Sequence, residues 1–381
     1  MKSVVKIEKG LEGVYFTESK ICKVDGTLGR LCYRGYSIED LAENSTFEEV
    51  SYLLLFGVLP KKGELNTFKK DLSDKRALPK EIIKIIEESV NKCDTMHILR
   101  TAVSALPLYD KNLDSKTSDK LQDSINLISK VASITATIGR YLYGKKYVAP
   151  NKNLGHAENF LYMLNGVLPS KKDSRILDKM MILHAEHSSN ASTFSALVTA
   201  STLSDIYSAF TSAIGTLKGP LHGEADENAL RMMYAIKDAN NTENYINNAL
   251  NKKERIMGFG HRIYKTYDPR ARIIRNLLTE MQKSNNTEIK NITEIALAAE
   301  KMMIEKLGKS HGIWPNVDFF AGPVYRYINI PIDIFTPLFA TGRSPGWCAH
   351  IIEYLENNRL IRPLELYEGK TNLHYKKISS R

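Results

Sequence analysis

Residues 45–60, STFEEVSYLLLFGVLP, read as a helix with both ends marked. Ser45 and Glu48 match the S-x-x-E capping box, in which two side chains satisfy amides that a helix start leaves open. Val50, Leu53 and Leu54 then fall on one face, the spacing of a 3.6-residue repeat. Gly57 and Pro60 close the run, because glycine completes the last turn and proline cannot extend it. The pattern predicts a helix over Ser45–Phe56, and its equivalents recur through most of the chain.

Towards the N-terminus the signal changes. Val4–Ile7 and Gly13–Phe16 read as short strands, and Asp25-Gly26 is a turn pair that closes a small hairpin with Leu31–Tyr33. Towards the C-terminus helices follow over Glu64–Leu72, Pro79–Lys92, Met96–Leu106, Lys120–Tyr143 and His156–Leu164. Beyond them come Asp173–His187, Ala191–Ser201, Ser204–Leu217, about Glu224–Asp238, Pro269–Gln282, Thr293–Leu307 and Val317–Tyr327. Phe335–Asn357 contains one long helix entered through Pro345-Gly346. Lys145–Gly155 and Ser284–Asn291 read as loops. Ala191–Ser201 and Ser204–Leu217 are rich in Ala, Ser and Thr, which predicts close helix approach at a packing seam or a subunit interface. The fold class is mainly α, with a small N-terminal β element and no internal repeat.

At 381 residues the chain is long enough for two domains. Its composition, 43% hydrophobic and 25% charged, is that of a globular protein. No apolar run approaches the roughly 20 residues a membrane span needs. No apolar signal segment opens the chain, so a cytoplasmic location is expected. Four scattered cysteines with no CxxC pair argue against a disulfide framework or a zinc ribbon. The formal net charge of +10 is spread over lysines interleaved with glutamates, without an arginine-rich arm or aromatic RNA-binding motif, so nucleic acid is not an expected partner.

Chemistry concentrates in three stretches. In MGFGHRIYKTYDPR (257–270), His261 lies between glycines and the basic group Arg262, Lys265 and Arg270. Imidazole titrates nearest neutral pH, and guanidinium forks match carboxylates and phosphates. In GPLHGEADE (219–227), His222 stands at a helix start, whose partial positive charge disfavours imidazolium. In WPNVDFFAGPVY (314–325), Asp318 sits among apolar residues, as a helix cap or as a base made stronger by desolvation. His184 and His187, at i and i+3, invite a metal reading with Glu186, but no third ligand follows at a telling spacing, so no metal site is expected. No G-x-S-x-G elbow and no GxxxxGK[ST] loop is present.

Taken together, the motifs resemble the citrate synthase family. GLEGVYFTES (10–19), residues 30–60, LRTAVSAL (99–106), HAENFLYML (156–164), HAEHSSNASTF (184–194), residues 202–223, MGFGHRIYKTYDPRA (257–271), PNVDFFAG (315–322) and RLIRPLELY (359–367) look like that family in order. The length resembles its short, dimeric form. The resemblance implies a large helical domain from residues 1–219 and 326–381, with a small helical domain, 220–325, inserted between them. It implies His222, His261 and Asp318 as the catalytic trio. It also implies oxaloacetate binding by His187, His261, Arg270 and Arg343, with Arg362 supplied by the partner subunit, and coenzyme A contact at Lys265. Acetyl-CoA is then a substrate and no cofactor is required; the close alternative is 2-methylcitrate synthase, acting on propionyl-CoA. A rival of another class is a non-catalytic helical protein that binds coenzyme A or nucleic acid.

Departures from the family pattern cluster near these residues. Glu224 and Asp226 stand where glycine and asparagine are usual, and two carboxylates there are expected to favour a charged His222. Ser188 and Ser189 follow His187, Leu364 follows the Arg362-Pro363 pair where a cation is common, and Thr341 and Pro345 flank Arg343.

Overall fold

The computed structural model describes residues 6–109, 119–223, 225–283 and 285–381. Of the early β signals, the hairpin forms: β1 (Cys22–Asp25) pairs antiparallel with β2 (Arg30–Tyr33), and β3 (Tyr36–Ser37) adds to β2. Gly13–Phe16 is unpaired; Val14 and Tyr15 face solvent while Phe16 packs edge-on against Phe194, 4.9 Å between ring centroids. Val4–Ile7 lies partly outside the described residues.

The rest is helical, as expected. In order come α1 (Ile38–Asn44), α2 (Phe47–Phe56), α3 (Lys62–Asp74), α4 (Lys80–Ser89), α5 (Thr95–Ala105) and α6 (Lys120–Leu142). They are followed by α7 (His156–Asn165), α8 (Lys171–His184), α9 (Ala191–Ser201), α10 (Ile206–Leu217), α11 (Ala225–Ile236) and α12 (Thr242–Asn251). The last group is α13 (Pro269–Met281), α14 (Thr287–Met303), the short α15 (Lys309–His311), α16 (Val317–Tyr327) and α17 (Phe335–Glu356).

Several boundaries differ from the sequence reading, and at those described next other groups take the polar atoms in question. The capping box of α2 is Thr46 with Glu49, not Ser45 with Glu48. Ser45 closes α1 instead, its amide donating to the Leu41 carbonyl, and Glu48 is buried with its carboxylate accepting from the His156 amide at 2.8 Å. Helix α8 stops at His184, so His187 lies in a loop and not on a helical face. Tertiary donors reach its last carbonyls: Arg343 Nε bonds the His184 carbonyl at 2.6 Å, and the Tyr33 hydroxyl donates among the Ile182, Leu183 and Glu186 carbonyls. Helix α14 starts six residues early because Asn286 caps it, which removes much of the expected loop; Ser284 lies outside the described residues. Helix α17 begins at Phe335 with Pro345 inside it. The Thr341 carbonyl that Pro345 cannot serve accepts from the Ser344 hydroxyl at 2.8 Å.

The core lies where α17 crosses α6, α8, α9 and α10. Phe335 to Ile351 of α17 is buried throughout, and Trp347, fully buried, stacks edge-on against Phe210. Burial of each such aromatic side chain stabilises the fold by roughly 1.5–3 kcal/mol. The small-residue helices α9 and α10 pack on each other, with Ser195 Oγ 2.5 Å from Ser212 Oγ. A second group, α11, α13, α14 and α16, packs on itself beside this core and touches it through α8 and α17. The site lies where the two groups meet.

Candidate active site

The loop 185–190 brings in His187, held from below by Tyr33 of β2, whose hydroxyl also accepts the Glu186 amide at 3.3 Å. His187 is buried, its Nε2 3.3 Å from the Tyr264 hydroxyl and its ring 5.0 Å from that of His261. His261 Nδ1 accepts two backbone amides, Ile263 at 3.0 Å and Tyr264 at 3.1 Å. Amides only donate, so Nδ1 is unprotonated and Nε2 carries the proton.

His222 has the opposite arrangement. Its Nε2 accepts the Ser192 amide at 3.4 Å and lies 2.9 Å from Ser192 Oγ. Ser192 Oγ itself accepts from Trp347 Nε1 at 3.2 Å and lies 2.7 Å from Asn190 Oδ1. The hydroxyl proton can turn, but the amide proton of Ser192 is fixed by the backbone and needs a lone pair on Nε2. The His222 proton therefore sits on Nδ1.

Both imidazoles are neutral well below physiological pH. Burial pushes His222 down to about 4, the Arg343 charge adding to it. Burial also brings His261 to about 4, together with Arg270. His187 is lowered further by burial, Arg270 and His261. The expectation that added carboxylates would charge His222 fails: burial and the Arg343 charge lower its affinity, and burial pushes the carboxyl of Asp226 itself well above the ordinary aspartate range. Glu224 lies outside the described residues.

Two buried arginines supply fixed charge. Arg270 is gripped by Asp268 through Nε at 3.1 Å and Nη2 at 2.7 Å, which leaves Nη1 free of that fork. Burial opposes its charge, but the Asp268 carboxylate outweighs this and holds Arg270 cationic. Among the described residues Arg343 is tied only through Nε to the His184 carbonyl and lies over the Phe339 ring, which leaves both terminal nitrogens without a hydrogen-bond partner there. Asp318 sits in the first turn of α16, its amide donating to Asn316 Oδ1 at 3.0 Å. Burial pushes its carboxyl up to about 6 against the opposing pull of Arg270 and Arg343. An aspartate with that affinity is ionised at neutral pH yet a stronger base than one in water.

His261 and Asp318 are stitched together by backbone. Gly260 donates to the Trp314 carbonyl at 2.8 Å, Asn316 donates to the Gly258 carbonyl at 2.9 Å, and Asn316 Nδ2 donates to the Gly260 carbonyl at 3.0 Å. Gly258 is required here: its φ is +80°, and a Cβ would stand 2.7 Å from the Phe319 backbone. From the other side the β1–β2 turn supports the same loop, the Lys265 amide donating to the Gly26 carbonyl at 3.0 Å. A Cβ on Gly26 would lie 2.2 Å from the Ile263 carbonyl oxygen.

His187, His222, His261, Arg270, Arg343 and Asp318 thus share one set of buried charges and hydrogen bonds. Lys265 lies on the exposed rim of the His261 loop, its Nζ donating to the Arg262 carbonyl. Arg362 is not brought in; it is exposed on the C-terminal tail and makes no hydrogen bond or ion pair with the described residues. The sequence reading missed Ser192, Tyr264, Asp268 and Asn316. Asn190 and Asn316 carried a signal, an asparagine opening a helix. Ser192 had none, since its role depends on a partner 30 residues away. Among the described residues no group of three or more His, Cys, Asp or Glu side chains is placed to hold a metal ion, and no helix is long and apolar enough to cross a membrane.

Fold and site define the class: a mainly α enzyme with neutral imidazoles and one desolvated carboxylate around two buried guanidinium groups. The family model for the citrate synthase C-terminal domain matches residues 10–364. A citrate synthase of Deinococcus radiodurans is 44% identical over 98% of this chain and 99% of that one. A 2-methylcitrate synthase of Corynebacterium glutamicum is 43% identical over 99% of each. The citrate synthase of the archaeon Thermoplasma acidophilum, solved as a ternary complex with carboxymethyl coenzyme A and oxaloacetate, superposes with a TM-score of 0.93 at 37% identity, covering 98% of this chain and 99% of that one. The chain belongs to the citrate synthase family.

Proposed function

We propose that this protein condenses acetyl-CoA with oxaloacetate and hydrolyses the product to citrate and coenzyme A, with no cofactor beyond the two substrates. The observation that carries the reading is the pair of opposite imidazole tautomers beside a carboxylate of raised affinity. Asp318 removes a proton from the acetyl methyl group. The charge that develops on the thioester oxygen is met by His222, a neutral donor through Nδ1. Such a donor is worth about 2.7–4 kcal/mol in transition-state stabilisation where its loss has been measured. His261 presents Nε2–H to the oxaloacetate ketone, polarises it for attack by the enolate carbon, and supplies the proton to the resulting alkoxide. The free Nη1 of Arg270, the terminal nitrogens of Arg343, and His187 hold the carboxylates so that the ketone lies in line. Water then cleaves the citryl thioester, giving citrate, the free thiol of coenzyme A and a proton.

In this reading residues 220–325 form the smaller, moving domain, and Lys265 meets a coenzyme A phosphate at its rim. The protein acts as a cytoplasmic homodimer in which Arg362 completes the partner's site. The exposed apolar tail supports the dimer: Leu364, Leu373, Tyr375 and Ile378 are between 74% and 86% exposed in the single chain, a surface suited to a partner.

The test is coenzyme A release with acetyl- and propionyl-CoA, with and without oxaloacetate. Release that requires oxaloacetate, prefers acetyl-CoA and disappears in Asp318→Asn supports the proposal. Preference for propionyl-CoA would assign the 2-methylcitrate reaction instead, and release independent of oxaloacetate would reject condensation. For the shared site, an Arg362→Ala chain is paired with an Asp318→Asn chain. The heterodimer regains one working site if Arg362 acts across the interface and none if it acts within its own chain.

A further inference from the structure

Asp226 stands four residues beyond His222, in the first turn of α11, and the mechanism above makes no use of it. It is 1% exposed. Its Oδ1 accepts the Glu227 amide at 2.8 Å, while its Oδ2 is buried without a hydrogen-bond partner among the described residues. A buried carboxylate oxygen in that condition is costly, whereas a protonated one costs far less.

The packing of α11 on α16 places this carboxyl. At Gly322 the two helices come within backbone contact: a Cβ there would lie 2.8 Å from Leu230 Cβ and 3.3 Å from the Asp226 carbonyl oxygen. Asp318 is four residues before Gly322 and Tyr325 three after it, so both share the α16 face turned towards α11. Tyr325 is buried, and its hydroxyl is held neutral by burial first and by the charge of Asp318. The other helices on α11 bring polar groups to neighbours of Asp226 but not to it. Thr336 of α17 bonds Glu227 at 2.9 Å, and Glu288 of α14 bonds Tyr234 at 2.7 Å.

Two carboxyls on one buried wall do not both ionise. Arg270 and Arg343 face Asp318, and their fields assign the negative charge there. Among the described residues no cation pairs with Asp226; burial, Asp318 and Glu227 all oppose its ionisation. We propose that Asp226 is a positioning residue that keeps its proton at neutral pH, so that the pair carries a single negative charge and that charge resides on the catalytic base, Asp318. The role rests on the function proposed above, because it acts through Asp318. Its physical consequence is a carboxylic acid stored in the folded state. Between the ordinary aspartate range and its own raised affinity, the folded protein binds one more proton than the unfolded chain, so stability falls as pH rises through that window.

Infrared difference spectra of the full-length protein at pH 7.5 test the assignment without substrate. Wild type is expected to show the C=O stretch of a buried carboxylic acid, lost in Asp226→Asn and kept in Asp318→Asn. Asp226→Asn is neutral and isosteric, so it is expected to retain turnover within a few-fold and to keep the acid limb of the kcat profile in place. It is also expected to lose less stability than wild type as pH rises from 6 to 9. No such band in wild type, a band abolished by Asp318→Asn, or an Asp226→Asn enzyme as inactive as Asp318→Asn would each overturn the proposal. The band and the stability profile are independent of activity. A wild-type protein that shows both yet releases no coenzyme A leaves this assignment standing and removes the proposed reaction.

Discussion

Asn316 joins the two halves of the site, and its replacement by alanine separates that joining role from simple stability. Its Oδ1 caps α16 by accepting the Asp318 amide at 3.0 Å, and its Nδ2 donates to the Gly260 carbonyl at 3.0 Å, next to His261. Its own amide, bonded to the Gly258 carbonyl, survives the change. Loss of the cap costs about 1 kcal/mol, and loss of the second hydrogen bond costs about 1 kcal/mol. For a chain of 381 residues, the sum of about 2 kcal/mol lowers Tm by about 3 °C at roughly 2.1 cal/mol/K per residue. Activity should fall much further, because a displacement of about 1 Å between base and electrophile costs on the order of 100-fold. Asn316→Ser keeps an oxygen for the cap but has no donor to reach Gly260. It is expected to recover most of the stability while remaining slow. Calorimetry and steady-state coenzyme A release measure the two effects. An Asn316→Ala enzyme with wild-type kcat and a lowered Tm would refute the idea that these bonds set the distance between His261 and Asp318.

Three other expectations concern pH and packing. The base must be ionised, so kcat/KM is expected to fall as pH drops through about 6, the value to which burial raises Asp318; His222 and His261 stay neutral down to about 4 and add nothing above it. A profile with no acid limb above pH 5 would contradict this. Gly26→Ala is expected to displace the His261 loop through the 2.2 Å contact with the Ile263 carbonyl oxygen, with kcat reduced more than stability; unchanged kinetics would show that the hairpin gives no support. His156 is 1% exposed, neither ring nitrogen is hydrogen-bonded, and burial with the Arg76 charge brings it to about 3. Its folded affinity lies below the unfolded value of about 6.5, so stability is lost as pH falls between them, by up to about 1.4 kcal/mol per unit. His156→Phe, stacked on Phe47, is expected to weaken that dependence in urea midpoints at pH 7 and pH 5, and an unaltered slope would count against the argument.

Helix existence was legible because periodicity and caps are local signals: α2, α6, α9 and α17 all stand where apolar spacing places them. Boundaries were legible only where nothing distant competed for the end groups. Helix α8 was read three residues too long because Arg343, some 160 residues later, takes the His184 carbonyl. Thr242–Asn251 was missed altogether, since its start has no side-chain cap and its apolar positions are few.

The sequence by itself determined the class of the fold, the residue types able to do acid–base and anion chemistry, and their order along the chain. Only the tertiary structure decided which nitrogen of each imidazole carries the proton, because a tautomer is set by the group on the other side of the ring. Ser192 does this for His222, and the Ile263 and Tyr264 amides do it for His261. It likewise brought Asp318 and Asp226 into buried surroundings that raise both carboxyls, with Arg270 and Arg343 opposing the shift at Asp318. Burial and charge are sums over neighbours from separate helices, and no window of sequence contains them.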